Sequence, residues 1–168
     1  MGNKFACIDL ECTCWDFNDP NRQPHEIIEI GAVVLNEDLS IARSKSFYVH
    51  AVSNPILTDY CTHLTGISQD TVNTAPLFMD IFPTFVEWLD GADVMCSWGE
   101  FDDKQLREEC ARFGFAYPFT SHINVKQMYL DKMKRTKGGL QKACRVLNIP
   151  FEGTPHCGKD DAVMAAKI

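Results

Sequence analysis

Three apolar runs follow one another before any helical pattern begins, and this order limits the fold more than any other feature of the chain. Residues 4–10, 26–35 (EIIEIGAVVL) and 41–50 (IARSKSFYVH) each read as a strand, with Asn36-Glu37-Asp38 as the turn between the last two. Strands joined this closely form an antiparallel meander. The pattern then changes. Residues 55–74 read as short helical turns broken at Gly66, and residues 76–90 as an amphipathic helix kinked at Pro83. Asp93–Trp98 is a further buried strand, 102–113 a helix ended by Gly114, His122–Val125 a short strand, and 126–134, 139–147 and 158–168 are helices. A meander followed by alternating strands and helices predicts an α/β fold in which a mixed sheet is covered by helices. No repeat, low-complexity tract or linker divides the 168 residues, so one domain over 1–168 is expected.

With 45% hydrophobic and 23% charged residues, disorder and coiled coil are excluded, and no apolar run reaches the roughly 18 residues of a membrane helix. The run Phe5-Ala6-Cys7-Ile8 stops at an acid, too short for a signal sequence. Met1-Gly2-Asn3-Lys4 has the start of a myristoylation pattern, but Ala6 stands where Ser or Thr is required, so no lipidation is expected. The eight cysteines are expected as free thiols in the reducing cytoplasm, and Cys12-x-Cys14 lacks the second pair that a zinc site needs. A net charge of −7 argues, taken alone, against a nucleic-acid partner. The average hides a split: residues 1–125 carry 7 basic and 19 acidic residues, whereas residues 126–145 carry 7 basic and 1 acidic. That strip reads equally well as a solvated face or as a phosphate contact.

Three places carry chemistry. Asp9 and Glu11 lie two apart at the end of the first strand, so both point to one face, where buried carboxylates need a compensating cation unless they face water. Ser97-Trp98-Gly99-Glu100-Phe101-Asp102 follows the strand that begins near Asp93, at a strand end of the kind where α/β ligand sites gather, although Asp102 could equally serve as a helix N-cap. His156-Cys157-Gly158-Lys159-Asp160-Asp161 brings a loop histidine into the start of a helix, with Asp161 in its first turn and Gly153 and Gly158 making the approach pliable. A helix N-terminus favours the neutral imidazole that a general base needs. His25, His50, His63 and His122 have no such neighbourhood and read as structural or exposed.

In this order DLECT (9–13), SWGEFD (97–102) and HCGKDDA (156–162) resemble the three motifs of the DEDDh family of 3′-to-5′ exonucleases, with PHEIIEIGAVVL, NPILTDYCTHLTGI and GLQKACRVLNIPFEGTPH as further matches from about residue 5 onward. The similarity is greatest to the ERI-type branch, the relatives of the histone-mRNA 3′-end exonuclease. It implies an RNase H-like five-stranded sheet and a two-metal mechanism with Mg²⁺, for which Mn²⁺ can substitute. By the same resemblance Asp9 would bridge both cations, Glu11 and Asp161 would complete the first site, Asp102 would support the second through water, and His156 would take the proton of the attacking water. Asp160 faces elsewhere and is the second choice. Four carboxylates without a thiolate suit Mg²⁺, and holding phosphates through metal accounts for the acidic first half.

The substrate implied is single-stranded RNA or a short 3′ overhang, released as 5′-nucleoside monophosphates, with no membrane partner. Leu64, in the Leu64-Thr65-Gly66-Ile67 loop, resembles the family segment beside the terminal nucleotide. Phe101 or Trp98 could stack on a base, Trp98 reading also as core. Cys12 and Thr13 would present backbone N–H groups to the terminal sugar, and the strip with Lys132, Lys134, Arg135 and Lys137 would form a rail for the upstream backbone. Competing readings are a DNA 3′-end trimming exonuclease, an interaction module on the same fold and a small-nucleotide phosphodiesterase.

Overall fold

The computed structural model describes residues 4–168; Met1 to Asn3, which carry most of the lipidation reading, lie outside the described residues. In chain order the elements are β1 (Phe5–Cys12), β2 (Ile27–Leu35), β3 (Ile41–Tyr48), α1 (Asp59–Thr65), α2 (Gln69–Thr74), α3 (Phe78–Trp88), β4 (Val94–Ser97), α4 (Phe101–Phe113), β5 (Ser121–Asn124), α5 (Val125–Lys132), α6 (Leu140–Val146) and α7 (Gly158–Ala166). The five strands form one sheet in the order β3-β2-β1-β4-β5. The β1–β2 and β2–β3 pairs are antiparallel, while β4 joins β1 and β5 joins β4 in parallel. This is the mixed sheet that the meander and the later alternation predict.

The two faces of β1 have different partners, and the strand period of two divides its side chains between them. Ala6, Ile8, Leu10 and Cys12 enter the large core with Phe78, Phe82 and Phe85 of α3 and Leu106 and Cys110 of α4. Cys7 turns to the opposite face, where it packs with Val33, Cys96 and Ala162 of α7. Asp9 and Glu11, in step with Cys7, are therefore aimed at the face that α7 covers. On β2 the register pairs Cys7 with Val33, Asp9 with Gly31 and Glu11 with Glu29, which gives Glu29 and Gly31 the same aspect.

Helix α3 continues through Pro83, which offers no N–H to the Met79 carbonyl. Burial of Phe78, Phe82 and Phe85 holds the helix in place: Phe78 stacks on Phe82 with ring centroids 4.9 Å apart, and Phe85 meets Phe47 edge-on at 5.4 Å. Gly114 ends α4 in the left-handed conformation, at φ 74°.

Candidate functional site

Strand β4 pairs with β1 only from Phe5 to Cys7, so the second half of β1 runs past it with its edge unpaired on that side. Asp102, in the first turn of α4, fills the gap: its Oδ1 accepts the Leu10 N–H at 2.9 Å. The N-cap of α4 is Glu100, and no side chain caps that end, so the capping role considered for Asp102 does not hold. Its carboxylate is turned to β1, is only 5% exposed, and lies close enough to raise the proton affinity of Asp9. A shift in register between Glu11 and Cys12 marks the end of the regular ladder beside the site.

From the other side α7 brings the third motif. Gly158 packs against β1 and β2 where no side chain intervenes: a Cβ on Gly31 would lie 1.9 Å from the Gly158 carbonyl carbon, and one on Gly158 would lie 3.0 Å from the Asp9 carbonyl oxygen. One turn along, Asp161 faces the cluster. Its Oδ2 accepts the His156 N–H at 3.0 Å, while its Oδ1 is buried without any hydrogen-bond partner. His156 holds φ 63°, a left-handed conformation unusual for a non-glycine residue, and its side chain is exposed at the mouth. Ligand atoms of Glu11, His156 and Asp161 lie within 4.8 Å of one another. Asp160 turns away and accepts the Thr154 N–H at 2.9 Å, closing the loop that carries His156.

Segments almost the whole chain apart thus place Asp9, Glu11, Asp102, Asp161 and His156 at one end of β1. The family model RNase_T, described as Exonuclease, matches residues 6–168. The chain belongs to this exonuclease family. It is 32% identical over 178 residues to human 3′-5′ exoribonuclease 1, a match that covers 98% of this chain and 51% of that protein. The chain therefore spans about half the length of that curated relative. The nuclease domain of 3′hExo, a DEDDh family member solved with bound rAMP, superposes with a TM-score of 0.88 at 31% identity, covering 98% of this chain and 88% of that one. A 3′-exonuclease solved in specific recognition of the histone mRNA stem-loop gives 0.86 at 29% identity, covering 98% and 61%.

The electrostatics of the carboxylate cluster are those of a site suited to cations. Burial, and after it the charges of Asp102, Glu11 and Asp161, holds Asp9 well above the usual carboxylate range. Glu11 is pushed up to about 9, by burial first and then by Glu29. Burial raises Asp102 to about 6, against the opposing effect of the Leu10 N–H. Asp161 is raised by burial and partly relieved by the His156 N–H. Among the described residues no lysine or arginine forms a salt bridge with Asp9, Glu11, Asp102 or Asp161. Clustered carboxylates, an unpartnered buried Oδ1 and hard oxygen donors fit a divalent metal ion.

Around this centre the structure differs from the sequence reading at Thr13. Thr13 has no N–H to offer: it donates to the Glu26 carbonyl at 2.8 Å while its Oγ1 accepts the Glu26 N–H at 3.0 Å, because strand pairing continues past the end of β1. The Cys12 side chain is buried in the core. Lys134 and Arg135 serve to end α5, with Lys134 left-handed at φ 51° and the Arg135 N–H bonded to the Leu130 carbonyl at 2.9 Å. The cations that line the cleft at His156 and Asp161 are Lys142 and Arg145 of α6; with Gly139, Leu140 and Gln141 they enclose about 300 Å³. Trp98 packs on Tyr129 and belongs to a small core, whereas Phe101 is 48% exposed and meets His25 edge-on at 5.6 Å. His25 is also tied to the site's strand, its Nδ1 2.7 Å from the Thr13 carbonyl. Leu64 lies exposed on α1, whose Cys61 thiol donates to the Cys12 carbonyl at 3.5 Å.

Proposed function

We propose that the chain is a metal-dependent 3′-to-5′ exonuclease that removes 5′-nucleoside monophosphates from the 3′ end of single-stranded RNA or short 3′ overhangs. The observation that carries the reading is the convergence of four carboxylates and His156 from three distant segments, with Glu11, His156 and Asp161 able to share one cation. Asp9, Glu11, Asp102 and Asp161 would hold two Mg²⁺ ions, or Mn²⁺ in their place. When bound, the ions neutralise the charge that builds on the phosphate and make water acidic enough to attack at neutral pH.

The remaining roles fall to the chain's own groups. His156 sits at the solvent side of the cluster, where its imidazole can accept the proton of the attacking water, and the bond from its backbone N–H to Asp161 fixes the loop it stands on. Lys142 and Arg145 flank the same cleft without ion-pair partners among the described residues, so they are free to meet a phosphodiester next to the one being cut. Phe101 and Leu64 offer apolar surface for the terminal nucleotide. The preference for RNA is supported by the names of the relatives, human 3′-5′ exoribonuclease 1 among them. The eight free cysteines are consistent with a reducing, cytoplasmic setting.

A 5′-labelled 12-mer in ribo and deoxyribo form, incubated with Mg²⁺, Mn²⁺ or EDTA, tests the proposal. A ladder of single-nucleotide steps from the 3′ end, faster on RNA and lost in EDTA and in Asp9→Ala or Asp161→Ala, is expected. Retained hydrolysis in either variant under excess Mg²⁺ would refute the site. Equal rates on the two polymers would refute the RNA preference.

A further inference from the structure

We propose that Glu29 is a positioning residue of the metal site: it clamps the first turn of α7 to the sheet and so sets where Asp161 and His156 stand relative to Asp9 and Glu11. The inference rests on the reading of the carboxylate cluster as a metal centre. Glu29 is 1% exposed and directly opposite Glu11 in the β1–β2 register. A second buried carboxylate beside the first is costly unless its oxygens are occupied by donors. Those of Glu29 are. Ser46 Oγ of β3 donates to Oε1 at 2.6 Å, the Lys159 N–H to the same oxygen at 3.3 Å and the Gly158 N–H to Oε2 at 3.2 Å.

Two of these donors are the first N–H groups of α7, which have no partner inside the helix and favour a negative charge. Cys157, the N-cap of α7, contributes no side-chain hydrogen bond, so Glu29 supplies from the sheet, 129 residues away in sequence, the acceptor that a local cap would otherwise provide. The approach depends on the bare backbones of Gly31 and Gly158; a Cβ on Gly158 would come within 3.2 Å of the Glu29 carboxyl carbon. With the first turn fixed, Asp161 is fixed one turn further on, and His156 follows through its N–H bond to Asp161. Glu29 itself is no metal ligand, because its oxygens are turned to N–H and O–H donors. It acts on the cations through α7.

The test is Mn²⁺ affinity by calorimetry or electron paramagnetic resonance, with thermal unfolding measured beside it, for wild type, Glu29→Ala, Glu29→Gln, Ser46→Ala and the core control Phe85→Leu. Glu29→Ala should lose on the order of 10- to 100-fold in affinity, the range typical when a group that orients metal ligands is removed. Glu29→Gln should recover part of that loss, since its amide oxygen can accept from Gly158 while its NH₂ donates to the Ser46 hydroxyl, leaving the Lys159 N–H without its acceptor. Ser46→Ala should lose a smaller amount, and Phe85→Leu should lower the unfolding temperature with no change in affinity.

Equal losses in Glu29→Gln and Glu29→Ala would show that charge alone matters and would overturn the clamp. Unchanged affinity in both, with falling stability, would make Glu29 structural only. If Glu29→Ala fails to fold, Ser46→Ala decides, and wild-type affinity in that variant counts against the proposal. Failure of the wild-type protein to bind Mn²⁺ at all would instead overturn the metal reading beneath it.

Discussion

Neutralising one acid of the cluster should stabilise the metal-free protein while destroying its chemistry. Glu11 is the clearest case, because its carboxyl is pushed up to about 9 by burial and by Glu29, and it is 9% exposed. The folded-state value is raised above the unfolded one, so the folded chain holds a proton that the unfolded chain gives up. The penalty is absent below the unfolded value near 4.5, grows as pH rises toward about 9, and is constant beyond it. At pH 7 the difference amounts to about 2 to 3 kcal/mol, after allowance for water reaching the open cleft. In Glu11→Gln nothing titrates and the penalty disappears. In EDTA at pH 7 this variant should melt roughly 5 to 10 °C above wild type, with the gap closing at pH 4.5 and widening toward pH 9. Added Mg²⁺ should raise the wild-type melting temperature by more than the variant's, since the variant has lost one of the four carboxylates that would hold the ions. Differential scanning fluorimetry across pH in EDTA and in Mg²⁺ reads both effects. A variant less stable than wild type at pH 8 without metal, or a gap indifferent to pH, would show that Glu11 carries no electrostatic strain and would refute the reasoning.

Two further outcomes follow from particular contacts. Gly31→Ala places a Cβ 1.9 Å from the Gly158 carbonyl carbon, which must force α7 off the sheet; a loss of about 3 kcal/mol in urea unfolding, together with loss of Mn²⁺ binding, is expected, and wild-type affinity would count against the packing of α7. Replacing Lys142 and Arg145 together by alanine should weaken binding of a single-stranded 12-mer and flatten the dependence of log affinity on log salt by about 1.4, measured by fluorescence anisotropy with Ca²⁺ in place of Mg²⁺. The same exchange at Lys134 and Arg135 should alter the slope less, because those residues lie outside the cleft's lining; the reverse ranking would restore the earlier strip as the rail.

The sheet was legible because its strands differ in kind from its helices: EIIEIGAVVL can only be buried on both sides, and a buried run so early in the chain requires neighbours on both edges. The acids were legible for a related reason. A period of two placed Asp9 and Glu11 on one face, and the structure shows that face to be the one α7 covers. Glu29 escaped the same logic because it stands in the middle of the most apolar strand, where an acid reads as an interruption of the core. The signal was present nonetheless: on a strand buried on both sides an acid must meet donors, and none is near it in sequence. The backbone role of Thr13 rests on the resemblance alone, and no apolar pattern reveals that its backbone and hydroxyl continue the ladder to Glu26. Which cations of the basic strip line the cleft is not readable from the sequence, because it depends on how α6 packs beside the third motif. Lys134 and Arg135 and the pair Lys142 and Arg145 belong to the same basic strip, but the first pair follows α5 whereas the second stands on α6, and it is the α6 pair that lines the cleft at His156.

That placement bears on how a protein of net charge −7 can hold a polyanion at all. With Glu11 pushed up to about 9 and Asp9 well above the usual carboxylate range, the metal-free cluster holds protons at pH 7 and still offers a phosphate no attraction, while Lys142 and Arg145 line the cleft beside it. Without divalent ions nothing at the cluster itself attracts a phosphate. Two divalent ions would offset the charge of the four carboxylates, and the fixed cations of α6 would extend an attractive path away from the cluster. Metal binding is then a condition for substrate binding as well as for hydrolysis, so the affinity of the protein for an RNA end should rise with divalent-ion concentration even where no turnover occurs.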